Sequence, residues 1–182
     1  HHGDLKRELI KCAYEMCHRD GYPNLSIRNL AKESKVSQTA PYRHFKSKEK
    51  LYAEVARTGF NNLYDSIFIN SNLKNKKKQL IRIGKNYLKF GIEHANIYDL
   101  MFGTAVPNFL DYPKLQESAN RSYLELKTNI KNLTKSSDDA YISKACFTMW
   151  ALIHGMVGIF RKVSILGADI EKFPKDDAIG SA

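Results

Sequence analysis

The chain has 182 residues, of which 43% are hydrophobic and 26% are charged. These values exclude wholesale disorder and predict a folded chain of one domain or two small ones. Lysine and arginine number 29 against 19 acidic residues, so the net charge of +10 favours a polyanionic partner, either nucleic acid or a membrane surface.

Apolar runs and cysteines bear on the location of the protein. The most apolar run, 145–160, contains Thr148 and His154 and is too short and too polar for a membrane span. No signal peptide is visible, and the His-His-Gly start is interpreted as the remnant of a purification tag. Three cysteines without a CxxC pattern favour reduced thiols. We therefore expect a cytoplasmic protein that does not bind membranes.

The N-terminal third predicts four helices, of which the middle two are very short. Apolar residues at helical spacing predict the first helix: Leu5, Leu9, Cys12, Ala13 and Met16. Gly21 suits the left-handed position that ends it. Ser26, Ser37 and Ser47 can each cap one of the three helices that follow. The expected buried faces of the second and fourth helices are Ile27, Leu30 and Ala31, and Leu51, Tyr52, Val55 and Leu63.

From about residue 72 the pattern changes to longer helices. Four are predicted from apolar spacing and caps, at about 79–94, 97–102, 115–133 and 138–160. Pro107 and Pro113 bracket a loop, because proline disfavours helix at its own position and just before it. The last helix is apolar on both faces and is expected to be buried on more than one side. The sequence therefore predicts an all-α fold of about nine helices.

Basic residues are concentrated between residues 25 and 50. Seven are basic and two are acidic: Arg28, Lys32, Lys35, Arg43, Lys46, Lys48 and Lys50 against Glu33 and Glu49. Lysine, arginine, hydroxyl groups and helix N-termini are the groups that bind phosphates, although a solvated basic face is the alternative. A second basic run, Lys74–Lys78, has no accompanying apolar stripe and is interpreted as a solvated linker.

The spacing around the turn Lys35–Ser37 matches a helix-turn-helix, with Val36 as the apolar residue that locks the two helices together. The second helix of such a motif enters the major groove, and its first residues meet base edges. Here Gln38 can pair with adenine, and Thr39 or Ala40 can contact a thymine methyl group. The alternative is that these are ordinary exposed residues at the start of a helix.

Three stretches of this region carry a specific pattern. They are Gly21-Tyr-Pro-Asn-Leu-Ser-Ile-Arg-Asn-Leu-Ala31, Val36-Ser37, and Tyr42-Arg-His-Phe-Lys-Ser-Lys-Glu-Lys-Leu-Tyr52. Together they resemble the DNA-binding region of TetR-type transcriptional regulators, over residues 5 to about 57. The resemblance implies a three-helix DNA-binding domain at 4–57, with the fourth helix continuing to about 71, and a helical-bundle domain at 72–182.

The resemblance also assigns roles to individual residues. The expected DNA-binding residues are Ser26, Arg28, Ser37, Gln38, Thr39, Tyr42, Arg43, His44 and Lys48. Gln38, Thr39 and Arg43 are expected to face bases, and most of the others to bind or lie beside the phosphate backbone. His44 has the alternative of packing against the first helix. Phe45 is expected in the core, where an aromatic ring can pin the recognition helix.

Two residues depart from the family pattern. Lys35 stands where the family usually has glycine, so a left-handed backbone there would cost about 1 kcal/mol. Pro41 falls near the fourth position of the recognition helix, where it removes an N–H and can crowd the carbonyl of Ser37. We expect that helix to start late or to be distorted.

Two later segments, His94–Gly103 and Trp150–Gly155, resemble one subgroup of TetR-type C-terminal domains, named for its Trp-x-x-x-His-Gly motif. The resemblance implies a homodimer whose C-terminal domain binds a small molecule and releases DNA. Small residues on the last helix suit a two-fold interface, with an intrachain core as the alternative. The expected interface residues are Trp150, Ala151, His154, Gly155 and Gly158.

Aromatic residues of the later helices are candidates for an effector pocket that binds a largely apolar molecule. They are Tyr87, Phe90, Tyr98, Met101, Phe102, Phe109, Tyr123, Phe147 and Trp150; taken singly, each is more typical of a core residue. His154 has no partner at metal-ligand spacing, so neither a metal nor a cofactor is expected.

The sequence lacks the GxSxG, P-loop, dinucleotide-binding and HExxH patterns, so we expect no enzyme. The favoured interpretation is a ligand-responsive repressor that binds a palindromic operator as a homodimer. One alternative is a redox-sensing regulator using Cys12, Cys17 or Cys146, although these residues lie on apolar faces. Another is a basic helical adaptor without sequence-specific DNA binding.

Overall fold

The computed structural model describes residues 2–69 and 73–162. Within these ranges all regular secondary structure is helical, which confirms the all-α class. The seven α-helices are α1 (His2–Asp20), α2 (Ile27–Glu33), α3 (Lys48–Phe68), α4 (Lys76–Glu93), α5 (Ala95–Phe102), α6 (Pro113–Thr134) and α7 (Asp139–Arg161). Three short 3₁₀-helices cover Tyr22–Asn24, Pro41–Arg43 and Phe109–Asp111. The described ranges hold these seven α-helices against about nine expected, and one of the missing helices is the predicted recognition helix, which is not α-helical.

The chain divides into two compact units. The first comprises His1–Asn62 and His94–Ala119, and the second comprises Leu63–Glu93 and Asn120–Ala182. α5 therefore belongs with the N-terminal helices, although it lies beyond residue 72 in sequence. The domains expected at 4–57 and 72–182 are a functional division, and their limits stay a prediction.

The local signals for the first helices lie where the sequence places them. The Ser26 hydroxyl accepts a hydrogen bond from the Asn29 N–H (3.0 Å) and caps α2. The Ser47 hydroxyl accepts one from the Lys50 N–H (3.3 Å) at the start of α3. Gly21 ends α1 with φ of 79°, a conformation that side chains disfavour. These three predictions are confirmed.

The core of the first unit is formed by the expected apolar stripes. Its fully buried large side chains include Leu9, Leu25, Leu30, Phe45, Leu51, Val55, Ile97 and Leu100. α5 is held to α1 by the Asn96 side-chain amide, which donates to the His18 carbonyl (2.9 Å). α5 also approaches α3 closely at Gly59, where an added Cβ would lie 2.6 Å from the Met101 sulfur. This unit therefore links the short N-terminal helices to α5.

In the second unit, α4 packs against α7. The two helices approach closely at Gly91, where an added Cβ would lie 2.6 Å from Val157. A neighbouring cluster of Ile130, Ile142 and Cys146 joins α6 to α7, with Leu80 of α4 packed against it. Asp138 caps α7, because its carboxylate accepts from two backbone N–H groups at 3.0 and 3.1 Å.

The burial of α7 differs from the expectation. It buries one stripe, formed by Ile142, Cys146, Ile153 and Val157. The opposite face is open in the single chain, and its large exposed residues are Tyr141, Phe147, Leu152 and Ile159. The prediction that α7 is buried on more than one side is therefore wrong for one copy of the chain. α7 is also, within the described ranges, the one helix long and apolar enough to cross a membrane by length and composition, but this is weak evidence for a membrane span.

Candidate nucleic-acid interface

The segment after α2 places its apolar residues inward and its polar residues outward. Pro41 and Phe45 are buried, and Phe45 is only 1% exposed. Gln38, Thr39 and Arg43 are exposed beside them. Burial of the Phe45 ring fixes the segment against the core of the first unit, so the polar side chains stand on an anchored backbone.

The segment predicted as a recognition helix from Gln38 is instead a series of tight turns. Residues 38–40 form a turn, and Pro41–Arg43 form a 3₁₀-helix. Pro41 has no N–H, so the Ser37 carbonyl accepts its hydrogen bond from the Ala40 N–H (3.0 Å). The Ser37 hydroxyl lies 3.3 Å from the Thr39 hydroxyl, and the expected cap of an α-helix is absent from this segment. The prediction of a distortion at Pro41 is confirmed, and that of a helix from Gln38 is wrong.

The turn between α2 and this segment has a left-handed residue at the expected place. Lys35 has φ of 54°, and its N–H donates to the Lys32 carbonyl (3.2 Å). The Val36 N–H donates to the Ala31 carbonyl (3.1 Å), which closes the end of α2. Lysine in this conformation costs about 1 kcal/mol relative to glycine. The positive charge at the turn is therefore kept at a cost in stability.

The residues expected at phosphates are accessible. Tyr42 is 55% exposed, Arg28 and Lys48 are exposed, and His44 and Ser26 are half-buried. All nine expected DNA-binding residues lie between Ser26, the residue that caps α2, and Lys48, the first residue of α3, and none is fully buried.

Lys48 is positioned by the ring of Tyr52, a residue for which the sequence predicted only a place in the core. Its ammonium lies 5.2 Å from the centre of the Tyr52 ring. The Tyr52 hydroxyl donates to the Tyr22 carbonyl (2.5 Å), in the short 3₁₀-helix after α1. Tyr52 thereby connects the N-terminus of α3 to the loop before α2. Its long-range hydrogen bond carries no local sequence signal.

The sequence also did not predict an ion-pair network beside these residues. The Arg19 guanidinium lies 2.8 Å from an Asp20 oxygen and 3.1 Å from a Glu33 oxygen. Arg19 thus ties the end of α1 to the end of α2. Its hydrogen bonds hold the pKa of Asp20 below its usual value. The pairing leaves less uncompensated acidic charge beside the basic segment.

The cysteines have the environments of structural thiols. Cys17 and Cys146 are buried, and Cys12 is half-buried. Burial, together with the charge of Asp99, raises the pKa of Cys17 to about 12. Burial also raises the pKa of Cys146. Since the thiolate is the reactive form, these two thiols are poorly suited to redox sensing.

The aromatic residues expected to line a pocket are divided between the two units. Tyr98 and Met101 are buried in the first unit, where the rings of Phe102 and Phe109 both meet Phe60 edge-on. The remaining residues lie in the second unit, in three kinds of environment. Tyr87 and Phe90 are buried, Tyr123 packs against the α6–α7 cluster, and Phe147 is 61% exposed. The structure brings no more than part of the set together within one unit.

Trp150 and His154 share a hydrogen-bonding partner on α4. The Trp150 indole N–H donates to the Tyr87 hydroxyl (3.2 Å), and that hydroxyl lies 3.4 Å from His154 Nδ1. Burial lowers the pKa of His154 below its ordinary value of 6.5. The Trp-x-x-x-His spacing thus gives a small polar group at the contact of α7 with α4.

The other residues expected at a two-fold interface lie on the open face of α7. Ala151, Gly155 and Gly158 are exposed. A Cβ added at either glycine would meet nothing within 4 Å. Within residues 2–69 and 73–162 these three positions are therefore not part of a core, and their face is open to another surface. Among the described residues, no group of three or more histidine, cysteine or acidic side chains could hold a metal ion.

Two family models match the chain. That of the bacterial regulatory proteins of the TetR family matches residues 9–55, and that of the tetracyclin repressor-like C-terminal domain matches residues 80–171. The chain is also 26% identical, over 174 residues, to the uncharacterized HTH-type transcriptional regulator YuxN of Bacillus subtilis strain 168. That match covers 90% of the chain and 56% of the relative, so the chain spans about half the length of this curated relative.

Solved structures share the fold. A protein of unknown function from Rhodococcus sp. RHA1 is 22% identical with a TM-score of 0.77, and the match covers 99% of this chain and 92% of that one. The structure of AibR in complex with isovaleryl coenzyme A and operator DNA is 14% identical with a TM-score of 0.58, covering 96% and 92%. These likenesses show the fold alone, and the Trp-His-Gly subgroup stays a prediction. On its two domain matches, the chain belongs to the TetR family of bacterial regulatory proteins, which are transcriptional regulators and not enzymes.

Proposed function

We propose that the chain is a ligand-responsive repressor that binds a palindromic DNA operator as a homodimer in the cytoplasm. A small-molecule effector, largely apolar, releases it from DNA by favouring a state that fits the operator poorly. The observation that carries the DNA-binding part is the anchored segment after α2. Gln38, Thr39 and Arg43 are exposed there, next to the buried Pro41 and Phe45.

Base reading is assigned to Gln38, Thr39 and Arg43, with Ser37 at the start of the segment. Glutamine can pair with adenine and arginine with guanine in the major groove. Phosphate binding is assigned to the accessible residues around the segment, namely Ser26, Arg28, Tyr42, His44 and Lys48. These are the side-chain types that contact the DNA backbone.

The homodimer is assigned to the open face of α7. A two-fold interface brings the same patch of both copies together, and the small residues Ala151, Gly155 and Gly158 let two helices approach closely. Phe147 and Leu152 beside them would be covered. We expect Gly155→Glu to make the protein monomeric, because it places two carboxylates in a closely packed apolar contact. Sedimentation of the variant as a dimer would contradict this assignment.

Effector binding is assigned to the second unit, whose candidate residues are Tyr87, Phe90, Tyr123, Phe147 and Trp150. AibR, which shares the fold, was solved with isovaleryl coenzyme A and operator DNA. Tyr87, Trp150 and His154 provide polar groups among apolar residues in the second unit. A redox-sensing regulator is less favoured because the pKa values of Cys17 and Cys146 are raised.

Selection of bound sequences from a random duplex library, with purified protein at moderate salt, tests the proposal. We expect an enriched palindrome whose half-sites are about 10 base pairs, or a multiple, apart. Binding that depends on salt but enriches no sequence would contradict base reading and favour a basic adaptor. Repeating the selection with protein that has been denatured and refolded separates that outcome from release by a co-purified effector.

A further inference from the structure

A second basic surface lies in the second unit, at the joined ends of α4 and α6. We call it the lysine cap and define it by Lys74, Lys76, Lys77, Lys78, Lys131 and Lys135. The Gln79 side chain donates a buried hydrogen bond to the Asn129 side chain, and Leu80 packs against Ile130. These contacts bring the first turn of α4 beside the last turns of α6. Six lysines from two separate stretches of the sequence therefore share one end of the unit.

The charges of the lysine cap are not neutralised by neighbouring acids. All six lysines are exposed, and among the described residues none has a carboxylate oxygen within 4.0 Å of its ammonium. Two acids lie near this end, but both have other partners. Asp139 pairs with Lys127 at 2.7 Å, and Asp138 caps α7. The positive charge of the lysine cap is therefore available to bind an anionic partner.

Two of its features oppose folding stability. Lys76, Lys77 and Lys78 occupy the first turn of α4, where the helix dipole favours acidic residues. Lys135 follows α6 with φ of 53°, a conformation that favours glycine. Lys35 in the helix-turn-helix has the same left-handed conformation. Both basic surfaces thus hold a lysine where glycine would cost less, which indicates that the charge has a use.

We propose that the lysine cap binds the phosphate backbone of double-stranded DNA without reading its bases. Lysine is a flexible point charge suited to phosphate, and the cap has no arginine for bidentate base pairing. The hydroxyls of Ser136 and Ser137, which follow α6, are also of a type that contacts phosphates. α4 turns Ile83 and Tyr87 into the core, so it has no apolar face to insert into a bilayer. The proposal rests on the proposed function in naming DNA as the polyanion.

The test uses the full chain with its helix-turn-helix contacts weakened by Gln38→Ala, Arg43→Ala and Lys48→Ala. In this background, binding to a fluorescent duplex of arbitrary sequence is measured by anisotropy over a range of salt concentrations. We expect residual, salt-dependent binding. Adding Lys76→Gln, Lys77→Gln and Lys78→Gln should weaken it at least about tenfold at low salt and lower the salt slope by about 3.

A matched control removes the same charge elsewhere. Lys114→Gln, Lys144→Gln and Lys162→Gln change three exposed lysines outside the cap. Equal weakening by both triple variants, or none from the cap variant, would overturn the proposal. So would binding to phosphatidylserine vesicles without binding to the duplex. Because the duplex has no operator and the two long base-reading side chains, Gln38 and Arg43, are replaced, this outcome is independent of whether a palindrome is found.

Discussion

The two basic surfaces of the protein differ in what accompanies their charge. Around the helix-turn-helix, Gln38, Thr39 and Arg43 stand on a segment pinned by the buried Phe45 ring. The lysine cap has a comparable number of positive charges but only lysines and hydroxyls. Base recognition needs donors and acceptors held in fixed positions, whereas phosphate attraction needs charge alone. The comparison assigns base recognition and phosphate attraction to two different surfaces of one chain.

The largest expected effect comes from removing the anchor of the reading surface. Phe45→Ala should destabilise the first unit by about 3–5 kcal/mol, because it deletes a fully buried aromatic ring. Loss of the anchor should abolish sequence-specific DNA binding while charge-driven binding through the lysine cap persists. Thermal unfolding and anisotropy with operator and arbitrary duplexes measure both. Retained operator preference in this variant would break the distinction between the surfaces.

Two exposed substitutions sharpen the distinction inside the helix-turn-helix. Gln38→Ala should cost about 1–3 kcal/mol at one base step and relax the preference there. Lys48→Ala should weaken binding to all sequences and lower the salt slope by about 1. Binding measured across single-base operator variants and salt concentrations distinguishes the two. If Lys48→Ala changed neither affinity nor slope, its assignment to a phosphate would be wrong.

The two left-handed lysines provide a smaller effect on stability. Lys35→Gly and Lys135→Gly should each raise the free energy of unfolding by up to about 1 kcal/mol, since glycine adopts this conformation without strain. Each should also weaken DNA binding, because a charge is lost from its surface. Denaturant unfolding measures the expected gain in stability, and anisotropy measures the expected loss of DNA affinity. Weaker folding in both glycine variants would show that these side chains contribute packing rather than charge.

The smallest expected effect is a pH dependence confined to the second unit. Burial lowers the pKa of His154 in the folded chain below the ordinary 6.5, so the unfolded chain binds the proton more readily. The free energy of unfolding should therefore fall as pH decreases from 6.5 toward the folded pKa, with no contribution above that range. Urea unfolding of the wild type and His154→Gln measures the difference. Identical pH profiles would contradict this role of His154.

Features set by neighbouring residues could be predicted from the sequence. The caps at Ser26 and Asp138 and the buried faces of α2 and α4 follow from side chains within a few positions of one another. The prediction of a solvated linker at Lys74–Lys78 is wrong in part, because these lysines are exposed but do not all lie in a linker. The last three of them form the first turn of α4, where the Asn75 side chain accepts from the Lys78 N–H (3.0 Å). The high charge of this stretch favoured a linker in the sequence analysis, although Asn75 caps a helix there.

Features that depend on distant partners could not be predicted. The packing of α5 on α1 rests on Asn96 and His18, which are far apart in sequence. The Arg19–Glu33 pair and the Tyr52 hydrogen bond likewise join separate elements. In the candidate site, Gln38, Thr39 and Arg43 are exposed, but Pro41 changes the backbone that carries them from the expected helix to tight turns. Sequence periodicity assumes a regular helix, and a missing N–H removes that regularity.

Trp150 is the single tryptophan of the chain. Its indole N–H is held by the Tyr87 hydroxyl at the contact of α7 with α4, beside the open face of α7. The tryptophan fluorescence of the protein therefore comes from this one position in the second unit. Covering that face or shifting α4 against α7 changes the surroundings of the indole, and with them the colour and intensity of the light. The protein carries an intrinsic optical reporter of events in this unit.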